Sequence, residues 1–301
     1  MLYAARLTWS GQKGIEGEYQ RAINRMARST LGAFRSTPQG IIAAQSGLTP
    51  ARALLDHRQA RFTQRLYAPP RDGGGPEEIL SREGAAATAR LKAVGGTRRG
   101  EMVELQVWSE GRTFPGQVSI DEEGAALETA RAWRPRDTIW TDGSRFDSGE
   151  VGAACAWRRG ESWTRRRFHL GSNKEVFDAE VFAIYQALRI CNEGQHSGHR
   201  YTISSDSQSA IQRLRTDSLG PGQQWARAAV EVCSRIVSRQ NEVSVLWVPA
   251  HAGVEGNERA DQISKEATSG RQHDVPEELR WEASLSHLSR VTTENWSEAT
   301  A

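Results

Sequence analysis

Thr138-Ile139-Trp140-Thr141-Asp142-Gly143-Ser144 is the stretch on which the reading of this chain turns. Apolar and β-branched side chains lead into an acid and then a Gly-Ser turn. Residues 138–142 therefore read as a strand with a carboxylate at its end. Working outward, Val151, Ala153, Cys155 and Trp157 alternate with small or polar residues, which predicts a second strand. Residues 162–169 give a third, Arg-rich and with one solvated face. Residues 175–192 place Val181, Ile184, Tyr185 and Leu188 at helical spacing, with Glu180 in the early turns. Residues 200–205 form a short fourth strand that runs into Asp206. Residues 222–239 read as a helix through Trp225, Ala229, Val232 and Ile236. Val243, Val245 and Trp247 alternate in a fifth strand, and a last helix runs from Glu255 to Ala267. The order βββαβααβα predicts an α/β fold, a five-stranded mixed sheet flanked by helices. In open α/β sheets ligands sit beyond strand ends, where Asp142 and Asp206 both lie.

Four acids stand out by their settings: Asp142, Glu180 in Phe-Asp-Ala-Glu, Asp206 in Ile-Ser-Ser-Asp-Ser, and Asp261 in Gly-Asn-Glu-Arg-Ala-Asp. Each has an ordinary reading by itself. Asp142 suits a turn, Glu180 a solvated helix face, Asp206 a helix N-cap, and Asp261 a pair with Arg259 or a lysine. Together they suit phosphodiester cleavage. That reaction needs an activated water, a stabilised leaving oxygen and neutralised transition-state charge, and two divalent ions supply all three. Mg²⁺ takes hard oxygen ligands. Four carboxylates brought together repel until a cation joins them, so metal should stabilise the fold as well.

In order, spacing and flanking residues, the four acids and the Val248-Pro249-Ala250-His251-Ala252-Gly253 loop resemble type 1 ribonuclease H over residues 137–269. The resemblance implies a ribonuclease H-like fold and an endoribonuclease that cuts the RNA strand of RNA–DNA hybrids. It implies two Mg²⁺ ions, replaceable by Mn²⁺, held by Asp142, Glu180, Asp206 and Asp261. One ion would activate water and the other would stabilise the leaving 3′ oxygen. His251 would assist leaving-group protonation or product release. Ser144, Ser207, Asn257, Arg165 and Arg167 are the expected nucleic-acid contacts. Asn257 suits either a cap on the last helix or support of the His251 loop. Glu258 suits dipole support first and an outer-shell role second. Two features depart from the best-known bacterial form. Val176-Phe177-Asp178-Ala179 stands where that form has paired asparagines before the glutamate. Leu219-Gly220-Pro221-Gly222 replaces its basic handle.

These variants look more like the ribonuclease H domains of non-LTR (LINE-type) retrotransposons. Ile23–Arg28, Leu31–Pro38 and Ala44–Pro50 resemble the segment after the polymerase core in those elements, and Trp281–Trp296 resembles the start of the region after the nuclease. No Asp-Asp dipeptide occurs, so the chain reads as a polyprotein piece that begins after the polymerase. A reverse transcriptase core supplied by the parent element is the implied partner. One alternative is a catalytically silent nucleic-acid-binding remnant. Another is an integrase- or resolvase-type enzyme on the same fold.

The 301 residues allow about two domains. Four regions are expected: a basic helical region (1–68), a weakly structured linker (69–136), the nuclease (137–269) and a tail with a short helix (270–301). Pro69-Pro70-Arg71-Asp72-Gly73-Gly74-Gly75-Pro76 marks the linker. Val103, Leu105 and Val107 suggest a short strand inside it. The net charge of +2 conceals an excess of +7 in residues 1–68, ten basic against three acidic. That excess suits either phosphate contact or a solvated amphipathic helix pair. Cys155, Cys191 and Cys233 lack Cys-x-x-Cys spacing and suit buried thiols in a reduced compartment. No signal-peptide or membrane-spanning run is visible. An intracellular protein, cytoplasmic or nuclear and not secreted, is expected. Oligomeric state is left open.

Overall fold

The computed structural model describes residues 12–34, 36–46, 48–56, 58, 113–132, 138–217, 220–269 and, singly, 275, 284, 286, 287, 290 and 294. The Pro/Gly-rich linker, the strand expected around Val103 to Val107 and most of the Trp281–Trp296 tail lie outside these residues.

Two units are described separately. In the first, α1 (Lys13–Leu31) ends at Gly32, whose left-handed φ of 62° closes the helix. Helix α2 (Gln39–Ser46) follows. Leu55 is buried against Ile15 and Tyr19 of α1, and the Ala51 amide donates to Gln20 Oε1 at 2.8 Å. Lys13, Arg21 and Arg25 of α1 are exposed.

The second unit holds the sheet. Its strands and helices are β1 (Gln117–Ser119), α3 (Glu123–Ala132), β2 (Thr138–Arg145), β3 (Val151–Arg159), β4 (Ser162–Gly171), α4 (Val176–Glu193), β5 (Arg200–Ser205), α5 (Gln208–Arg213), α6 (Gln223–Val237), β6 (Glu242–Trp247) and α7 (Glu255–Ala267). The sheet order is β1-β6-β5-β2-β3-β4. Strands β2, β3 and β4 form an antiparallel meander. Strands β5, β6 and β1 add in parallel.

The mixed sheet is as expected, but it has six strands instead of five. The extra strand and α3 fall within residues 69–136, where the sequence predicts a weakly structured linker. Gln117↔Ser244, Val118↔Val245 and Ser119↔Leu246 pair β1 with β6. Arg215 Nη2 donates to the Val118 carbonyl at 2.5 Å.

Helices cover both faces, which explains the composition of β3. Val151, Ala153 and Cys155 join one core cluster with Phe182, Ile184 and Leu188 of α4 and Ala229 and Ile236 of α6. Ala154 and Ala156 join the other, with Trp140, Ala260 and Ile263, and with Leu127 and Ala130 of α3. A strand between two helix layers cannot alternate polar with apolar, so small apolar residues fill both faces. Phe182 meets Phe168 and Trp225 edge-on, at 5.4 and 4.7 Å between centroids. The three thiols are buried and free. Burial pushes each one up, Cys233 to about 12, so they act as small apolar residues. No helix of the described residues is long and apolar enough to cross a membrane.

Candidate active site

Four separate segments deliver the four acids. Asp142 lies in β2 and is buried. Glu180 lies in the second turn of α4. Asp206 directly follows β5, and Asp261 is at mid-length in α7. Two glycines permit the convergence. A Cβ on Gly143 would lie 2.6 Å from the Glu180 amide and 2.8 Å from Ala179 Cβ. The backbones of β2 and α4 therefore touch directly beside Asp142. On the opposite face a Cβ on Gly152 would strike the Ser264 carbonyl and lie 2.8 Å from the Thr268 amide. That contact seats α7 on β3 and brings Asp261 toward Asp142.

Each carboxylate has a donor of its own. Ser264 Oγ donates to Asp142, and Ser207 Oγ donates to Glu180. Asn257 Nδ2 donates to Asp206 at 3.1 Å, and Lys265 Nζ pairs with Asp261 at 2.8 Å. Trp247 Nε1 holds the Asp206 carbonyl at 3.0 Å. Burial pushes the Asp142 carboxyl up to about 7, and the fields of Asp206, Asp261 and Glu180 push the same way against the Ser264 hydrogen bond. Glu180 is also raised, by burial first and then by the fields of Asp206 and Asp178, against Ser207. All four acids are thus electrostatically joined through Asp142. Among the described residues, however, no group of three His, Cys, Asp or Glu side chains is gathered tightly enough to hold an ion as it stands. Four like charges push apart until a cation joins them, and each here leans on its own donor. The donor set is all oxygen, which fits a hard divalent cation.

The other expected residues are placed as follows. His251 sits exposed in a turn with φ of 53°, and no hydrogen bond or ion pair links it to the four acids. Asn257 is buried and does not cap α7; the N-cap is Val254. Its amide instead bridges α7 to Asp206. Ser207 caps α5 by accepting from the Ala210 amide at 3.2 Å, so Asp206 is not the cap, and the same hydroxyl faces Glu180. Ser144 is half-buried in β2, opposite Gly152. Arg165 and Arg167 reach Glu266 of α7 at 3.0 and 3.6 Å. Arg166 on the other face makes a two-pronged bond to Glu193 at 2.7 and 2.6 Å. The arginine run therefore already pairs with carboxylates. Glu258 is exposed in the first turn of α7, as its dipole role suggests. Arg259 reaches Glu255, not Asp261. Sequence reading missed Ser264 and the particular lysine, Lys265. Their signal was spacing, three and four residues after Asp261 on one helix face.

Residues 134–269 match the family model described as RNase H. Over these residues the chain is similar to RNase H. It is 31% identical over 131 residues to the Gag-Pol polyprotein of bovine immunodeficiency virus (strain R29), a match covering 43% of this chain and only 8% of that polyprotein. It is 26% identical over 147 residues to the ribonuclease H of Aeromonas hydrophila, covering 44% of this chain and 90% of that protein. Among solved structures, RNase H1 of the halophilic archaeon Halobacterium salinarum is similar at 19% identity, covering 44% of this chain and 97% of its own, with a TM-score of 0.34. The N-terminal RNase H domain of a Mycobacterium tuberculosis protein, solved fused to maltose-binding protein, matches at 16% identity, covering 44% and 94%, with a TM-score of 0.36.

Proposed function

We propose that the RNase H domain hydrolyses the RNA strand of RNA–DNA hybrids as a metal-dependent endoribonuclease. The observation that carries this reading is the close packing at Gly143 and Gly152, which sets α4 with Glu180 and α7 with Asp261 against the strands beside the buried Asp142. Asp142, Glu180, Asp206 and Asp261 would hold two Mg²⁺ ions, or Mn²⁺ in their place. When bound, the ions supply an activated water and charge neutralisation at the leaving 3′ oxygen.

The chain's own residues prepare the site. Ser264, Ser207 and Asn257 fix the rotamers of Asp142, Glu180 and Asp206 by donating to them. The absence of a Cβ at Gly143 and Gly152 lets α4 and α7 approach the sheet this closely. His251, exposed on its turn, would assist leaving-group protonation or product release. Ser144, Ser207, Asn257, Arg165 and Arg167 remain the proposed hybrid contacts, with recognition by shape and 2′-hydroxyl groups. For the arginines this means exchanging Glu266 for phosphate, a small cost for exposed pairs. Derivation from a non-LTR retrotransposon, with a reverse transcriptase core as partner, belongs to the same proposal. So does the division into a basic helical region, a nuclease and a tail, with the nuclease unit now taken back to residue 113 to include β1 and α3.

Cleavage of a labelled hybrid tests the reading, with RNA–RNA and DNA–DNA duplexes as controls, in Mg²⁺ and in EDTA. Metal-dependent cutting of the hybrid's RNA strand alone is expected. Hybrid binding without cutting in Mg²⁺ or Mn²⁺, by folded protein, would leave a silent remnant. Cutting of DNA–DNA duplexes would favour a strand-transfer type of enzyme.

Lys265→Gln is expected to lower the Mg²⁺ concentration for half-maximal activity. The change removes an ammonium that competes for Asp261. The pair is half-exposed, so the effect should stay within about fivefold. A titration of cleavage against Mg²⁺ that shifts upward would contradict it.

A further inference from the structure

Three residues beyond the family match, Ser284, Ser286 and His287, are bonded to the start of α4, the helix that carries Glu180. Ser284 is buried, and its amide donates to the Asn173 carbonyl at 2.9 Å. Its Oγ donates to Asp178 Oδ2 at 2.5 Å. Ser286 Oγ donates to the other oxygen, Asp178 Oδ1, at 2.9 Å. The His287 amide donates to Ser284 Oγ at 3.1 Å, and His287 Nδ1 lies 3.0 Å from Glu175 Oε1. Glu175 Oε2 in turn faces Arg145 Nε at 3.8 Å, at the end of β2.

These contacts converge on the start of α4. Glu175 is its N-cap and Asp178 completes a reciprocal capping box, accepting from the Glu175 amide at 2.9 Å. A capping box is normally local and solvated. Here Asp178 is buried, and a buried carboxylate short of donors is costly. Two of its donors come from residues 106 and 108 positions away in sequence. The first turn of α4 is therefore held from outside the helix, two residues before Glu180.

We propose that Ser284, Ser286 and His287 form a clasp that sets the position of Glu180, with Ser284 and Ser286 as positioning residues acting through Asp178. Gly143 lets α4 sit directly on the sheet, Ser207 holds the Glu180 carboxylate, and the clasp fixes the turn from its N-terminal side. The inference rests on Glu180 being a metal ligand, as proposed above.

The full chain with Ser284→Ala and Ser286→Ala tests it, beside the chain with Ser284→Thr and Ser286→Thr, which keeps both hydroxyls. Mg²⁺ affinity is measured by calorimetry and amide exchange by mass spectrometry. The alanine pair should weaken Mg²⁺ binding about tenfold, as loss of outer support for a ligand does. It should speed exchange at residues 176–182 while leaving β2, β3 and α6 protected. In cleavage, kcat should fall with KM for hybrid unchanged within about twofold. The threonine pair should restore all three. A lower melting temperature with unchanged Mg²⁺ affinity and unchanged local exchange would overturn the clasp. If the alanine pair does not fold, Ser286→Ala alone carries the same comparison. If the unaltered chain binds no Mg²⁺, the role of Glu180 fails, and the exchange data decide on the clasp by themselves: unchanged protection at 176–182 overturns it.

Discussion

Asp142→Asn is expected to reduce hybrid cleavage by about a thousandfold while making the metal-free domain more stable. The two effects have one origin. The Asp142 carboxyl is buried and raised to about 7 by burial and three neighbouring acids. Below about pH 4 the group is protonated in folded and unfolded chains alike, and it costs the fold nothing. Between about 4 and 7 the folded domain keeps the proton that the unfolded chain has released. Stability therefore falls as pH rises through that window and levels off above it. Integrated over the window, the loss is at most roughly 4 kcal/mol. Glu180, also raised, adds in the same direction. Asparagine keeps the shape and the Ser264 contact but carries no charge. In EDTA at pH 8 the variant should resist urea better than the unaltered chain, and at pH 4 the two should be nearly equal. Adding Mg²⁺ at pH 8 should restore stability to the unaltered chain more than to the variant. Retained cleavage by the variant would sink the metal-site assignment. A variant no more stable at pH 8 in EDTA would sink the electrostatic account.

The second large effect is expected at Gly143. Gly143→Ala places a methyl group 2.6 Å from the Glu180 amide nitrogen and 2.8 Å from Ala179 Cβ. Neither neighbour is a flexible side-chain end, so α4 itself must move off β2. Overpacking of this kind costs about 1–3 kcal/mol. Displacing the helix by about 1 Å would also misplace Glu180 and cost activity about a hundredfold. Thermal denaturation in EDTA and hybrid cleavage in saturating Mg²⁺ check the two parts. A variant with normal stability would mean that the β2–α4 contact is looser than described. One with normal activity but lowered stability would separate helix placement from catalysis.

Much of this was legible in the sequence, for a physical reason. The strand that carries Asp142, the strand that runs into Asp206 and the helix through Glu180 are long enough for their periodicities to declare themselves. Strand β2, however, does not turn at Gly143-Ser144 as expected but runs on to Arg145, held by its pairing with β3. The small apolar run Val151–Ala156 of β3 fits a strand covered on both faces. Strand β1 was not legible. At three residues, with Gln117 exposed, it has no pattern of its own and exists through pairing with β6. Helix α3 is short and weakly amphipathic, and packs through Leu127 and Ala130. Ser264 was missed because a serine in a helix carries no signal until the face it shares with Asp261 is known. The Asp178 contacts to Ser284 and Ser286 were missed because polar pairs more than a hundred residues apart leave no trace in local composition. The partners of the Arg165-Arg166-Arg167 run were not legible either, since strand alternation sends its members to Glu266 and Glu193 on opposite faces.

The parallel pairing of β1 with β6 bears on how the protein can be handled. The family match begins at residue 134, after β1 and α3. Cut back to that point, the sheet would end at β6, and the backbone around Ser244, Val245 and Leu246 would lose its partner. A bare edge with valine and leucine along it is a template for a strand from another molecule. A fragment trimmed to the conventional nuclease limits should thus be stickier in solution than one that starts at residue 113 or earlier. Its insolubility would report on a missing three-residue strand and not on a misfolded catalytic centre.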